Sequence, residues 1–420
     1  MPSEPGTSQP AVPAAAAPVV LGLTTLLVLL SAAWKGACLD ARDNYRLTCY
    51  SDVLELWTSR GLRDAVFPYV HGRLVDGAPV DTFEYPVLTG VFVWASSLLA
   101  DGRASFLVAS TVLLLPFALL TARHLHRMSG RRALLWAASP SLVLYALHNW
   151  DLLAVAAATA ALWSWWRGRD VAAAVLLGIG ACLKVYPGLF LLPLVVDRAV
   201  RRDARGAVRV LAAGGLTVVA VNLPFVLAGR EGWAATYAFQ SARAADSSSN
   251  SLWYWVYPHL TTDRLNVLIP SLLALALAVA LAVGVRRARR EDEFPFVQVC
   301  AAVLVAFLLL NKVSSPQYTL WLLPFLALLR VHWAWWVAFT VADSLVYAGV
   351  FRWFHALVVG TDPSLPASVL ETGVWTKCAL LLVLFPVLLR APSTVVRQPT
   401  QRPDVNVSTS SAITGADRAR

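Results

Sequence analysis

Apolar runs recur from residue 18 to residue 390, and the ionisable residues between them gather at only a few of the breaks. A membrane helix takes about 20 apolar residues. The runs cover 18–34, 104–122, 133–148, 151–166, 171–184, 186–197, 208–229, 265–285, 294–311, 317–330, 333–351 and 367–390, with a shorter one at 86–100. Soluble domains carry about 25% charged residues. This chain of 420 residues carries 14% and is 58% hydrophobic. Such a pattern predicts an all-α polytopic membrane protein of about 12 transmembrane helices. Several runs are short, as half-helices or re-entrant segments buried in protein are. One transmembrane domain over 18–390 is expected between two disordered ends. These are an N-terminus at 1–17, rich in Pro and Ala, and a polar cytoplasmic tail at 391–420.

The net charge of +10 is not a nucleic-acid signal. The arginines concentrate at 123–132, 198–209 and 286–290, in short loops that the positive-inside rule places in the cytoplasm. Residues 1–17 have no basic n-region, so no cleavable signal peptide is expected. With the basic loops inside, the breaks at 148–151, 184–187 and 311–318 and the loops at 230–264 and 352–366 all fall on the outer face. The N-terminal part admits two maps. If 86–100 does not fully cross, the loop at 35–85 is outside; if it crosses, that loop is cytoplasmic. Fifteen residues are short for a span, which favours the first map. Cys38 and Cys49 share this loop and would pair in an oxidising compartment or stay as two thiols otherwise. No Cys or His spacing fits a metal site, and no metal or cofactor is expected.

Charge at bilayer depth is costly, so each polar break is a functional candidate. Each also has an ordinary reading. In the first loop, Asp52 with Glu55 three residues later resembles a capping box, so Asp52 is either a helix N-cap or a general base at the mouth of a membrane cavity. Leu54, Leu56 and Trp57 would then lie on the membrane surface. Asp81 and Glu84 are rival carboxylates in the same loop. Lys184-Val-Tyr186-Pro187 breaks a run near its outer end; Lys184 either snorkels to the interface or meets an anionic lipid head group. Asn311-Lys312-Val-Ser314-Ser315-Pro316-Gln317-Tyr318 offers a second lysine and the start of another helix, a pairing that favours anions. His148-Asn149-Trp150-Asp151 is a tight break in which Asp151 would cap the next helix. Asp343 is either paired or facing a cavity. The aromatic residues at 230–264 fit an interfacial belt or a sugar platform.

These residues together resemble glycosyltransferase family 87. The resemblance rests on Cys49-Tyr-Ser-Asp52 in the first outer loop, Tyr85-Pro86 entering a short helix, the K-x-Y-P break at Lys184 and the K-x-x-S-P-Q-Y break at Lys312. It runs over most of 18–390 and leaves out both tails. It implies a GT-C-like membrane fold with a structured extracytoplasmic loop. The members it resembles are actinobacterial plasma-membrane mannosyltransferases that use polyprenyl-phosphate-mannose. It also implies Asp52 as the catalytic carboxylate, with Lys184 and Lys312 on the donor phosphate. Tyr186, Ser315, Gln317, Tyr318, His148 and Glu84 would bind substrate. The expected partners are that lipid donor, membrane lipid, and an acceptor hydroxyl on a glycolipid, a lipoglycan or a protein. Inverting transfer would give an α-mannoside. A transporter or lipid flippase is the alternative, and would place ionisable groups near the midplane and along two gates; transfer of another polyprenyl-linked sugar is a second.

Overall fold

The computed structural model describes residues 16–397 apart from 41, 77, 81, 82, 247–249, 258, 292 and 396. Most of the expected disordered N-terminus at 1–17 and most of the tail, like Asp81, lie outside the described residues; Ala16 and Ala17 already belong to the first helix. The first apolar run forms α1 (Ala16–Gly36). The loop after it is folded: it holds α2 (Asp43–Arg46), α3 (Asp52–Ser59) and a small antiparallel hairpin of Arg73–Val75 with Ala78–Val80. Helix α4 (Val87–Ser97) has 11 residues. That is about 16 Å of rise, roughly half the hydrocarbon core.

Helix α5 (Arg103–Ser129) continues through a turn into α6 (Leu134–Ala137). Short helices follow: α7 (Pro140–Tyr145), α8 (Asp151–Trp166), α9 (Asp170–Leu183) and α10 (Leu191–Val200). Next come the long α11 (Ala204–Ala228), then α12 (Arg230–Ala242) and α13 (Leu252–Val256) in the aromatic loop, and the long α14 (Thr262–Glu291). The chain closes with α15 (Phe296–Leu310), α16 (Thr319–Leu328), α17 (Trp333–Val359) and α18 (Ser364–Arg390). Among the described residues, six helical stretches are long and apolar enough to cross a membrane: α1, α5 with α6, α11, α14, α17 and α18. The protein is a polytopic, predominantly helical membrane protein.

Burial sorts these helices. Nearly every residue of α8, α15 and α16 is buried, as expected for helices that are apolar all round. In α11 and α14 few residues are buried, so these two present most of their surface outward. The polar breaks fall at the ends of the buried helices: His148 to Trp150 lead into α8, Lys184 follows α9, and Asn311 to Tyr318 join α15 to α16.

Three local expectations are corrected. Ser51, not Asp52, is the N-cap of α3, its hydroxyl accepting from the Val53 amide. Leu54, Leu56 and Trp57 are buried rather than laid on a membrane surface, and Trp57 packs on Phe106 of α5 with ring centres 4.9 Å apart. The apolar stretch that looked interfacial finds a protein partner instead. The segment after α18 begins docked: Ser393 bridges to Leu329, and Arg397 reaches Asp170 and Asp197 at 2.6 and 3.1 Å. Asp197 is buried and Asp170 half-buried, and Arg397 from the start of the tail joins Arg201 and Arg198 in answering them. Of the two options for Cys38 and Cys49, the structure has the disulfide, with Cα atoms 5.8 Å apart.

Candidate functional site

The breaks converge on a cavity of about 750 Å³, within the roughly 300–1,000 Å³ usual for small-molecule sites. Its lining includes Asp52, Glu84, His148, Lys184, Tyr186, Ser315, Gln317 and Tyr318. These come from the first loop and from the ends of α8, α9, α15 and α16, which explains why residues so far apart in the chain meet.

Because Ser51 caps α3, the Asp52 carboxylate is free for other contacts. Its Oδ1 accepts from the Tyr50 hydroxyl at 2.9 Å, and its Oδ2 accepts from Asn149 Nδ2 at 2.9 Å and the Tyr85 hydroxyl at 3.2 Å. The loop is anchored beside it, with the Asp52 amide donating to the His148 carbonyl at 2.8 Å and the Ser51 hydroxyl donating to the Leu147 carbonyl. The Asp52 carboxylate, with burial, pushes the Tyr50 phenol well above its ordinary range. Burial first and then Asp52 do the same to Tyr85. Both phenols therefore remain donors to the carboxylate. The order of Tyr50, Ser51 and Asp52 in the sequence gave no sign that the serine would take the cap.

Lys184 does not snorkel. It is 8% exposed, and its Nζ lies 3.3 Å from Asp151 Oδ1. The ammonium also sits over the rings of Tyr85, Tyr318 and Trp321, at 4.8, 5.5 and 5.8 Å. Such cation–π contacts strengthen when desolvated. Trp321 is sandwiched, with Tyr186 at 4.2 Å on one side and Tyr318 at 3.9 Å on the other, and its indole N–H donates to Asp151 at 2.8 Å. Asp151 is thus a counter-ion within the site; it makes no helix cap. Tyr85 ties the two halves together, with its hydroxyl on Asp52 and its ring under Lys184.

The other expected residues divide. The side chains of His148 and Gln317 are buried at the cavity wall, and His148 Nδ1 and Gln317 Oε1 have no hydrogen-bond partner among the described residues. Buried polar atoms are nearly always satisfied, so these two stand out, although both atoms are closed off from the cavity space itself. Ser315 lines the cavity and precedes the turn that contains Gln317. Glu84 faces the cavity but is paired with Arg60 at 2.5 Å. Lys312 does not line it: its Nζ donates to the Ser241 carbonyl at 2.7 Å and to Asn266 Oδ1 at 2.6 Å. Asp343 is paired, with Lys377 at 2.7 Å and the Thr319 hydroxyl at 2.6 Å. Sequence reasoning gave Asn149 no role beyond its place in the break at 148–151 and passed over Trp321, Gln240 and Arg243; all four are on the cavity wall. Among the described residues, no three His, Cys, Asp or Glu side chains come together as metal ligands would.

A buried cavity in a helical membrane bundle, with a carboxylate held by three donors and a lysine in an aromatic cage, defines a membrane-embedded site able to accept a proton and to neutralise an anion. The chain belongs to glycosyltransferase family 87, whose sequence profile matches residues 83–310, just over half of the chain. The matched segment contains Glu84, His148, Lys184 and Tyr186; Asp52 and the break at 311–318 lie outside it. The chain is also similar to GPI mannosyltransferase 1 of Trypanosoma brucei brucei, with 26% identity over 281 residues, 60% of this chain. The aligned part spans 64% of that relative's length.

Proposed function

We propose that this enzyme transfers a mannosyl group from polyprenyl-phosphate-mannose to a hydroxyl on a glycolipid, lipoglycan or protein, at the extracytoplasmic face of the plasma membrane. The observation that carries this reading is the Asp52 carboxylate, released from capping and held by Tyr50, Tyr85 and Asn149 on the wall that also presents Lys184. Asp52 takes the proton of the acceptor hydroxyl as that oxygen attacks the anomeric carbon. The bond from that carbon to the phosphate oxygen breaks, and the lipid phosphate leaves with its electron pair. The phosphate is already a stable anion, so no general acid is needed. Lys184 meets the charge that builds on it, and preorganised charge of this kind lowers a barrier without reorganisation. Displacement from the face opposite a β-linked phosphate inverts the centre and yields an α-mannoside. Tyr186, Ser315, Gln317, Tyr318 and His148, which line the cavity, orient the sugar and the acceptor.

The name of the trypanosome relative supports mannose as the sugar. The disulfide supports an oxidising side for the first loop. A half-length α4 supports the map that puts this loop outside. The shorter helices would complete a GT-C-like bundle of about 12 crossings as broken spans buried in protein. The test uses membranes carrying the protein, with radiolabelled polyprenyl-phosphate-mannose. Label is expected to pass into a lipid, glycan or protein product with wild type and to stop with Asp52→Asn at equal protein level. Transfer that survives in the variant would remove Asp52 from the role of base.

A further inference from the structure

The charged groups around the cavity are nearly all answered by one another. Glu84 is met by Arg60, Lys184 by Asp151, and Asp52 by three neutral donors. Arg243 is different. It follows the last residue of α12, half-buried on the cavity wall; its amide closes the helix on the Phe239 carbonyl, but its guanidinium makes no hydrogen bond or ion pair among the described residues. Asp246, further along the same wall, is exposed. Lys312 stands behind Arg243. Its ammonium is tied to Ser241, two residues before Arg243, and to Asn266, and both of those partners are neutral. Burial first and the Arg243 charge second press the Lys312 ammonium below its ordinary pKa, against the pull of Asp263. Two cations close enough to repel each other, neither of them paired to a carboxylate, make a positive field that lacks an anion.

From this we infer that Arg243, with Lys312 behind it, forms the subsite that captures the phosphate of the lipid donor. The inference rests on the lipid-phosphate donor proposed above. The planar guanidinium can engage two phosphate oxygens at once, which a point-charge lysine cannot. The apolar residues of the same wall fit a prenyl chain: Phe239 is on α12, Phe307 is on α15, and Val185 is 56% exposed. This divides the work between the cations. Lys184, whose charge is shared with Asp151, acts on the departing oxygen, and Arg243 supplies affinity for the intact donor.

The test measures equilibrium binding of tritiated decaprenyl phosphate, with decaprenol as the uncharged comparison, to the full-length protein in nanodiscs. Wild type is expected to prefer the phosphate by thirtyfold or more. R243Q should lose about tenfold of that preference and raise the donor KM by a similar factor, with kcat and the acceptor KM nearly unchanged. R243K, which keeps the charge and serves as a folding control, should stay within threefold of wild type. A wild-type preference that persists in R243Q would overturn the inference and leave the donor reading intact. Equal loss in R243Q and R243K would overturn the role assigned to charge. A wild type that does not distinguish phosphate from alcohol would overturn this inference together with the lipid-phosphate donor.

Discussion

Lys184 and Asp151 face each other across 3.3 Å, both buried, and neither charge is well tolerated there alone. Removing one partner of a buried pair typically costs about 3–5 kcal/mol, because the other is left uncompensated, whereas replacing both by apolar groups is often neutral. Asp151→Asn and Lys184→Met are each expected to lower the unfolding temperature in detergent. The double variant Asp151→Leu with Lys184→Met should recover most of it. Transfer follows a different rule, since a neutral pair restores packing and leaves the phosphate without its cation. Activity should therefore stay about a hundredfold down in the double variant, the usual size for loss of one charge-stabilising group. A double variant that regained activity with stability would make the pair merely structural, and one as unstable as the singles would contradict the counter-ion account.

Among the elements, the first loop, α4 and α12 interlock at Tyr69. This residue is fully buried in the left-handed region, at φ 73°, and its hydroxyl donates to the Tyr85 carbonyl at 2.9 Å. Gly90 of α4 leaves room for it, since a Cβ there would fall 1.8 Å from the phenol oxygen. Gly90→Ala is expected to push Tyr69 aside at about 1–3 kcal/mol, shift Tyr85, and reduce transfer although position 90 does not line the cavity. Unchanged transfer and melting would show that α4 can slide without disturbing Asp52. Nothing in the sequence linked Gly90 to Tyr69, whereas much at this scale was legible. Each apolar run became a helix or a pair of short ones, because hydropathy decides that question locally. The breaks at His148, Lys184 and Ser315 were legible because polar residues inside apolar runs need a reason. What escaped depended on contacts distant in the chain or on a tie between neighbours. The partner of Lys312 is Asn266, 46 residues earlier. Ser51 and Asp52 are both good caps, so only the fold chose between them. Arg243 was hidden because arginine in this chain reads first as a topological anchor.

The molecule as a whole is asymmetric from end to end. One end carries the disulfide, the folded first loop and the cavity. At the other end, arginines of the basic loops close helix ends and an arginine of the tail anchors the chain. Arg132 donates to the carbonyls of Leu326, Ala327 and Leu329 at the end of α16, Arg287 donates to Leu389 at the end of α18, and Arg397 pairs with Asp170 and Asp197. Cations favour helix C-termini, so the residues that set orientation also complete the fold on that side. Two independent expectations about orientation then coincide. The positive-inside rule puts the arginine end in the cytoplasm, and the disulfide needs an oxidising compartment at the opposite end. The orientation can be read on intact cells with a membrane-impermeant maleimide. A cysteine at the exposed position Arg63, in the first loop, should be labelled before lysis, and one at the exposed position Arg289, at the end of α14, only after it. The reverse pattern would place the cavity in the cytoplasm. A reducing compartment would then hold a disulfide-bonded loop, and the donor would have to be loaded from the inner leaflet. Labelling of both positions before lysis would mean that the chain inserts in two orientations, and the charge asymmetry would not be enough to set one.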